Sequence, residues 1–281
     1  MDVVPSDVPS LRYIHEPYYY AKNTNEGSKT LKRGVLNTLT RLVVGNTKPR
    51  YNNQRYIANS EWTSEMISKI HGVRPSVILP PLEVDEIRKK RREWTNRESG
   101  FVWVGRITRD KDPELAIQLI ENLRNQNSIS DDVHLHIVGP LTNSGYGRRI
   151  ESLSAERDYI SLEGMVDRDT LIDLMGTHKY GINTRENEFF GLSVAEMVTA
   201  GTLPFVPESG GQQEIVKNIP DLLYETETEA RQKIIKLLGD QERQTEIRAK
   251  LDDETDRFST NEFKTTLKRA VRELMRENMG S

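Results

Sequence analysis

The sequence predicts an α/β protein built on doubly wound parallel sheets. Two observations carry this. Short β-branched, near-continuous apolar runs alternate with helical periods from Phe101 to Pro207, and strands apolar on both faces are those of a parallel sheet covered on each side. At 281 residues, the chain is also long enough for two ordinary domains, each with its own core.

Taken in order, "SLRYIHEP" reads as a strand ended by Pro17 and "RYIANS" as a second. "SEWTSEMISKIHG" is a helix capped by Ser60, and "PSVILPP" is a third strand. The charged "EVDEIRKKRREWTNRESG" reads as a connector, which places a domain boundary between residues 85 and 86. Beyond it come strand "FVWVGRI", helix "DPELAIQLIENLRNQ", strand "VHLHIVGP" and helix "YGRRIESLSAERD". Strand "YISLEG" leads to helix "DRDTLIDLMGT", with Asp167 or Asp169 at its cap, and then to strand "KYGINT". A helix from about Gly191 to Ala200, strand "TLPFVP" and a helical tail complete the domain of residues 86–281. Three strands make a thin open sheet, so the domain of residues 1–85 is expected to be partial, with an open edge.

Composition narrows the function classes. There is no cysteine, which excludes disulfides, a thiolate nucleophile and cysteine-ligated zinc, and favours the cytosol. No apolar run approaches the roughly 18 residues of a membrane span, and no signal-peptide pattern opens the chain. The net charge of -3 argues against a nucleic-acid partner. Residues 1–75 nevertheless carry 11 Lys and Arg against 6 Asp and Glu. The stretch from Ser28 to Arg50 reads as a basic amphipathic helix, either packing on a sheet or touching an anionic membrane surface.

Ligands of open α/β sheets sit beyond the carboxyl ends of the strands, so residues just past each strand are the site candidates. These are Gly105, Arg106 and Lys111; Gly139 and Pro140; Gly164, Met165 and Val166; Glu186 to Gly191; and Ser209, Gly210 and Gly211. Gly191 opens a helix whose first amides, those of Gly191, Leu192 and Ser193, suit a phosphate. Arg106 and Lys111 add two cations. Glu188 and Glu196 would repel a diphosphate, so they serve hydroxyls instead. Phosphates together with two polyols describe a nucleotide sugar.

These residues resemble a family. "VGRITRDKDPELAI", "HIVGP", "LEGMVDRDTL" and "ENEFFGLSVAEM…AGTLPFVPESGGQQEIV" look like the donor domain of retaining GT-B glycosyltransferases of family four, including the two glutamates seven residues apart. "RYIANSEWTSEMI" and "PSVILPP" look most like the α-1,2-mannosyltransferases that extend lipid-linked oligosaccharides. The resemblance implies two Rossmann-like domains, the first truncated, and transfer of a hexose, with mannose the first choice, from a GDP- or UDP-sugar to a glycan or lipid-linked hydroxyl. It assigns Arg106 and Lys111 to the diphosphate, Glu188 to the sugar and Glu196 to the ribose. The amides of Gly191 and Leu192 go to the phosphates, and the backbone of Met165 and Val166 goes to the base. Gly105 and Phe190 complete the donor set, and His15 matches an acceptor-side histidine facing the donor sugar. The resemblance implies no metal or other cofactor. Phe189 stands where the mannosyltransferase branch often has His, and the family's N-terminal glycine-rich loop has no counterpart.

Other readings stay open. Tyr18, Tyr19 and Tyr20 suit acceptor stacking or core packing equally. His134 and His136 alternate along a strand, and no His-Glu-x-x-His pattern occurs, so no metal site is expected. A catalytically silent nucleotide-sugar-binding module is the alternative to an enzyme. A nicotinamide-dependent dehydrogenase is disfavoured, because no Gly-x-Gly-x-x-Gly opens either domain.

Overall fold

The structure is a computed structural model that describes residues 9–16, 54–126 and 132–279. The chain forms two compact units, Met1–Ile78 with Lys264–Ser281, and Leu79–Phe263. The basic stretch from Ser28 to Arg50 and the three tyrosines at 18–20 lie outside the described residues.

In the first unit, β1 (Ser10–Ile14), β2 (Gln54–Ala58) and β3 (Ser76–Val77) form a parallel sheet in that order. This is the thin sheet that the sequence predicts among the described residues. Helix α1 (Glu61–His71) begins where the Ser60 hydroxyl accepts from Thr63 N at 3.0 Å, and ends at Gly72 with φ 70°. Ile14, Tyr56, Ala58 and Ile67 form its small core.

The second unit opens with α2 (Val84–Lys89), inside the stretch read as a connector. That reading missed a helix because its apolar face is only Val84 and Ile87, both buried, set among charges. Leu82 N donates to Phe258 O at 2.7 Å, tying the two ends of this unit together. The chain therefore divides at Ile78, earlier than the expected 85/86 boundary. From Lys264 onward, the last helix groups with the first unit, where Arg55 pairs with Glu273 at 3.7 Å and with Glu277.

Six parallel strands follow: β4 (Glu98–Val104), β5 (Leu135–Val138), β6 (Ile160–Gly164), β7 (His178–Ile182), β8 (Leu203–Pro207) and β9 (Leu223–Tyr224). Their spatial order is β6-β5-β4-β7-β8-β9. Between them run α3 (Pro113–Arg124), α4 (Gly145–Ala155), α5 (Arg168–Thr177), α6 (Leu192–Thr199) and α7 (Gln212–Ile215). Helices α8 (Glu227–Leu238), α9 (Gln241–Asp252) and α10 (Thr260–Met279) close the chain. Phe101, Trp103, Leu135, Ile137, Phe205 and their neighbours form one continuous core. The strand order reverses between β4 and β7, so the crevice of a doubly wound sheet opens beyond their carboxyl ends.

Candidate nucleotide-sugar site

Three strand ends meet at that crevice. Gly105 N donates to Val138 O at 3.0 Å and Gly139 N to Gly164 O at 2.7 Å, which levels the loops after β4, β5 and β6. Gly139 has φ 143°, and a Cβ there would stand 1.9 Å from Gly105 O, so no other residue fits. Arg106 lies exposed on this rim.

Lys111 is held from behind. The Trp103 indole N–H donates to Thr184 Oγ1 at 2.9 Å, and that hydroxyl donates to Lys111 O at 2.6 Å. Thr184 is buried at the end of β7, so this relay fixes the Lys111 backbone against two strands. Asp112 then caps α3 with φ 47°, accepting from Leu115 N at 3.4 Å. Burial raises the Asp112 carboxyl above its ordinary value.

The loop between β7 and α6 carries the two glutamates. Glu188 is buried, with its carboxylate ion-paired to Lys111 and 3.4 Å from Arg185 Nη1. A buried carboxylate is tolerated when cations face it, and two do. Behind it, the glycine pair after β8 acts as a clamp. Gly211 N donates to Glu188 O at 2.8 Å, the Ser209 hydroxyl accepts from Asn187 N at 3.0 Å, and the buried Gln212 amide donates to Arg185 O at 2.9 Å. Gly210 has φ 77°, and a Cβ there would lie 2.3 Å from Glu188 O and 2.6 Å from Glu188 N. The Gly-Gly loop thus positions the first glutamate.

Gly191, with φ 101°, begins α6 with no side-chain cap, leaving the positive end of the helix to whatever enters the crevice. Glu196 lies one turn in, its side chain 14% exposed, and Arg168 at the start of α5 donates to its Oε1 at 2.6 Å. Burial raises the Glu196 carboxyl above its ordinary value, and Arg168 opposes that shift.

The structure therefore brings Gly105, Arg106, Lys111, Glu188, Gly191, Leu192 and Glu196 to the loops around one switch point, with Leu192 half exposed. Met165 is 78% exposed after β6, and Val166 packs partly on the core. Phe190 differs from the others. Its ring is 4% exposed and meets Phe258 edge-on at 6.1 Å, so only its backbone is left for a ligand. His15 is exposed at the end of β1 in the first unit, where its carbonyl accepts from Asn59 Nδ2 at 3.2 Å. Sequence reasoning missed Arg185 and Arg168. The first was visible as the i, i+3 partner of Glu188; the second depends on the packing of α5 beside α6. The expectation of no metal site also meets a counter-observation, because His134, His136 and His178 gather at the other end of the sheet.

Residues 84–253 match the family described as glycosyl transferases group 1, which is more than half of the chain. The chain belongs to that family. Among curated relatives of this group 1 chain, the GDP-Man:Man(3)GlcNAc(2)-PP-Dol alpha-1,2-mannosyltransferase of Dictyostelium discoideum is 24% identical over 79% of the chain and 48% of its own length. The enzyme of the same name from Homo sapiens is 25% identical over 78% and 48%. The chain spans about half the length of these relatives. A glycosyltransferase from Rickettsia africae superposes with TM-score 0.69 at 16% identity, covering 82% of this chain and 67% of the other. Anabaena HepE, solved with UDP and glucose, also gives 0.69, at 14% identity over 94% and 71%. These likenesses establish the fold as the α/β, parallel-sheet architecture of the GT-B glycosyltransferases.

Proposed function

We propose that this chain carries the donor-binding machinery of a retaining hexosyltransferase, with GDP-mannose as donor and a lipid-linked glycan hydroxyl as acceptor. One observation carries the reading: Glu188 is buried at the sheet's switch point and held between Lys111 and Arg185, beside the uncapped start of α6. A carboxylate so placed accepts hydrogen bonds from sugar hydroxyls while its partner lysine turns a charged face to phosphate. Glu196, partly buried and paired with Arg168, suits the ribose. Arg106, Lys111 and the α6 amides stabilise the charge that develops on the departing diphosphate, so transfer needs no metal. The leaving phosphate takes the acceptor's proton at the same face of the sugar. The relatives' names support mannose and a dolichol-linked acceptor.

A thermal-shift panel of GDP-mannose, UDP-glucose, UDP-GlcNAc and ADP-glucose tests the donor, because specific binding raises Tm by mass action. GDP-mannose is expected to give the largest rise; no rise with any donor overturns the reading. A second reading is a donor-binding module that does not turn over; among the described residues the first unit's sheet has three strands. Release of GDP from GDP-mannose separates the two, since a silent module binds without hydrolysis or transfer. No described helix is long and apolar enough to cross a membrane, and the acceptor's lipid would be met peripherally by the basic stretch before residue 51. Pelleting with anionic but not neutral vesicles, lost at high salt, is the expected behaviour.

A further inference from the structure

His134 immediately precedes β5 and His136 lies on it two residues later, and His178 opens β7. The central strand β4 separates β5 from β7, yet a nitrogen of each ring lies within 4.8 Å of the others. Gly100 makes this possible. A Cβ at that position would sit 2.2 Å from His134 Nε2, so the missing side chain is the space through which His134 crosses β4. A register shift between Glu98 and Phe101 falls at the same place.

The tautomers follow from acceptors that cannot donate. His134 Nδ1 donates to Asp132 O at 2.7 Å, and His178 Nδ1 donates to Leu174 O at 2.7 Å. His136 Nδ1 donates to the Glu163 carboxylate, also at 2.7 Å. In each neutral ring Nε2 is then the lone-pair nitrogen. His134 Nε2 and His178 Nε2 nevertheless face one another at 3.1 Å, and Glu98 Oε2 lies 3.5 Å from the first and 3.8 Å from the second. Two lone pairs at that distance repel unless a proton or a cation lies between them.

We propose that His134, His136, His178 and Glu98 form a structural site for a divalent transition-metal ion, zinc being the ion that best suits the set. Three imidazoles and one carboxylate are a closed tetrahedral ligand set for zinc. With metal–nitrogen bonds of about 2.0–2.1 Å, the edges of such a tetrahedron are roughly 3.3–3.4 Å, close to the separations on either side of His134 Nε2. Each Nδ1–H is already fixed by a carbonyl or carboxylate, the outer support that orients ligating histidines. The site joins β4, β5 and β7 at their amino ends, opposite the crevice, and takes no part in transfer.

The test uses the full chain without a polyhistidine tag, stripped with EDTA and titrated with zinc against a chromophoric chelator. One equivalent binding at submicromolar Kd is expected, with X-ray absorption giving nitrogen or oxygen ligands at about 2.0–2.1 Å. H134N and H136N should each weaken zinc at least tenfold and abolish the zinc-induced rise in Tm. H15N, an exposed change in the other unit, should leave zinc affinity as it is. Circular dichroism of each stripped variant verifies folding, so a loss of affinity reads as a loss of ligand. Substoichiometric binding in the wild type, or equal affinity in all variants, overturns the site and leaves a proton shared between His134 and His178.

Discussion

The two ends of the six-stranded sheet solve the problem of buried charge in opposite ways. At the carboxyl end, charged side chains face each other across loops: Lys111 and Arg185 on Glu188, and Arg168 on Glu196. At the amino end, Arg97 is buried with backbone partners. Its guanidinium donates to Arg92 O at 2.9 Å, His178 O at 3.4 Å and Ala200 O at 2.8 Å, the last at the negative end of α6. Burial, with Arg248 and Arg91 nearby, lowers its pKa to about 10. Backbone partners cannot be exchanged without unfolding, whereas side-chain pairs can open for a ligand. The amino end therefore serves stability, and the carboxyl end is the one proposed to bind a ligand.

Substitutions at each end should separate these properties. The largest effect is expected from R106A and K111A, each lowering transfer on the order of 100-fold or more. R106A, an exposed change, should keep its urea midpoint close to wild type, and an equal loss of activity and stability in that variant would break the contrast. R97M should do the reverse. It removes the guanidinium from three carbonyls, those of His178 and Ala200 in buried bonds, and costs about 3 kcal/mol of unfolding free energy, while GDP affinity of the folded fraction stays unchanged. Calorimetry beside urea titration reads both.

T184V sharpens the comparison from within the site. It leaves the Trp103 N–H and the Lys111 carbonyl unpaired, at a cost of about 1–3 kcal/mol. As a positioning residue, Thr184 should affect kcat more than donor KM, and Thr184→Ser should restore the rate.

The smallest effect concerns pH. The Glu196 carboxyl ionises above its ordinary value in the folded protein, so just above pH 4.5 the folded state holds a proton that the unfolded chain has released. Its contribution to stability is present below that window and declines as pH rises through it. GDP affinity should move the other way, weakening as acid protonates the carboxylate proposed to hold the ribose. Calorimetric titrations with GDP across that range, compared with Glu196→Gln, check it; an identical pH profile in the variant would remove Glu196 from the ribose.

The carboxyl end was the more legible in sequence. Strands apolar on both faces fix where each ends, and glycines at 139, 191 and 210 stand at those ends because close approach or positive φ demands them. The glutamate pair could then be read from the chemistry that a helix start invites. Less of the amino end could be read. Helix α2 buries only two apolar residues among charges, and nothing local marks Arg97 as buried. Residues two apart on a strand share a face, so His134 and His136 were a pair in sequence. Their partner His178 lies on a strand that neighbours β4 rather than β5, and the strand order is settled by long-range packing. Gly100 reads as an ordinary strand glycine until that order is known.

In the proposed site Glu188 holds the sugar while its lysine holds the phosphates. Replacing Glu188 by Gln releases Lys111 from its ion pair without emptying the loop. Isothermal titration of the E188Q protein with GDP and with GDP-mannose, beside a transfer assay, tests it most directly. GDP should bind as well as to wild type or more tightly, GDP-mannose should gain nothing over GDP, and transfer should fall on the order of 100-fold. GDP affinity lost as badly as in E196A would contradict the account and make Glu188 a support for the loop before Gly191.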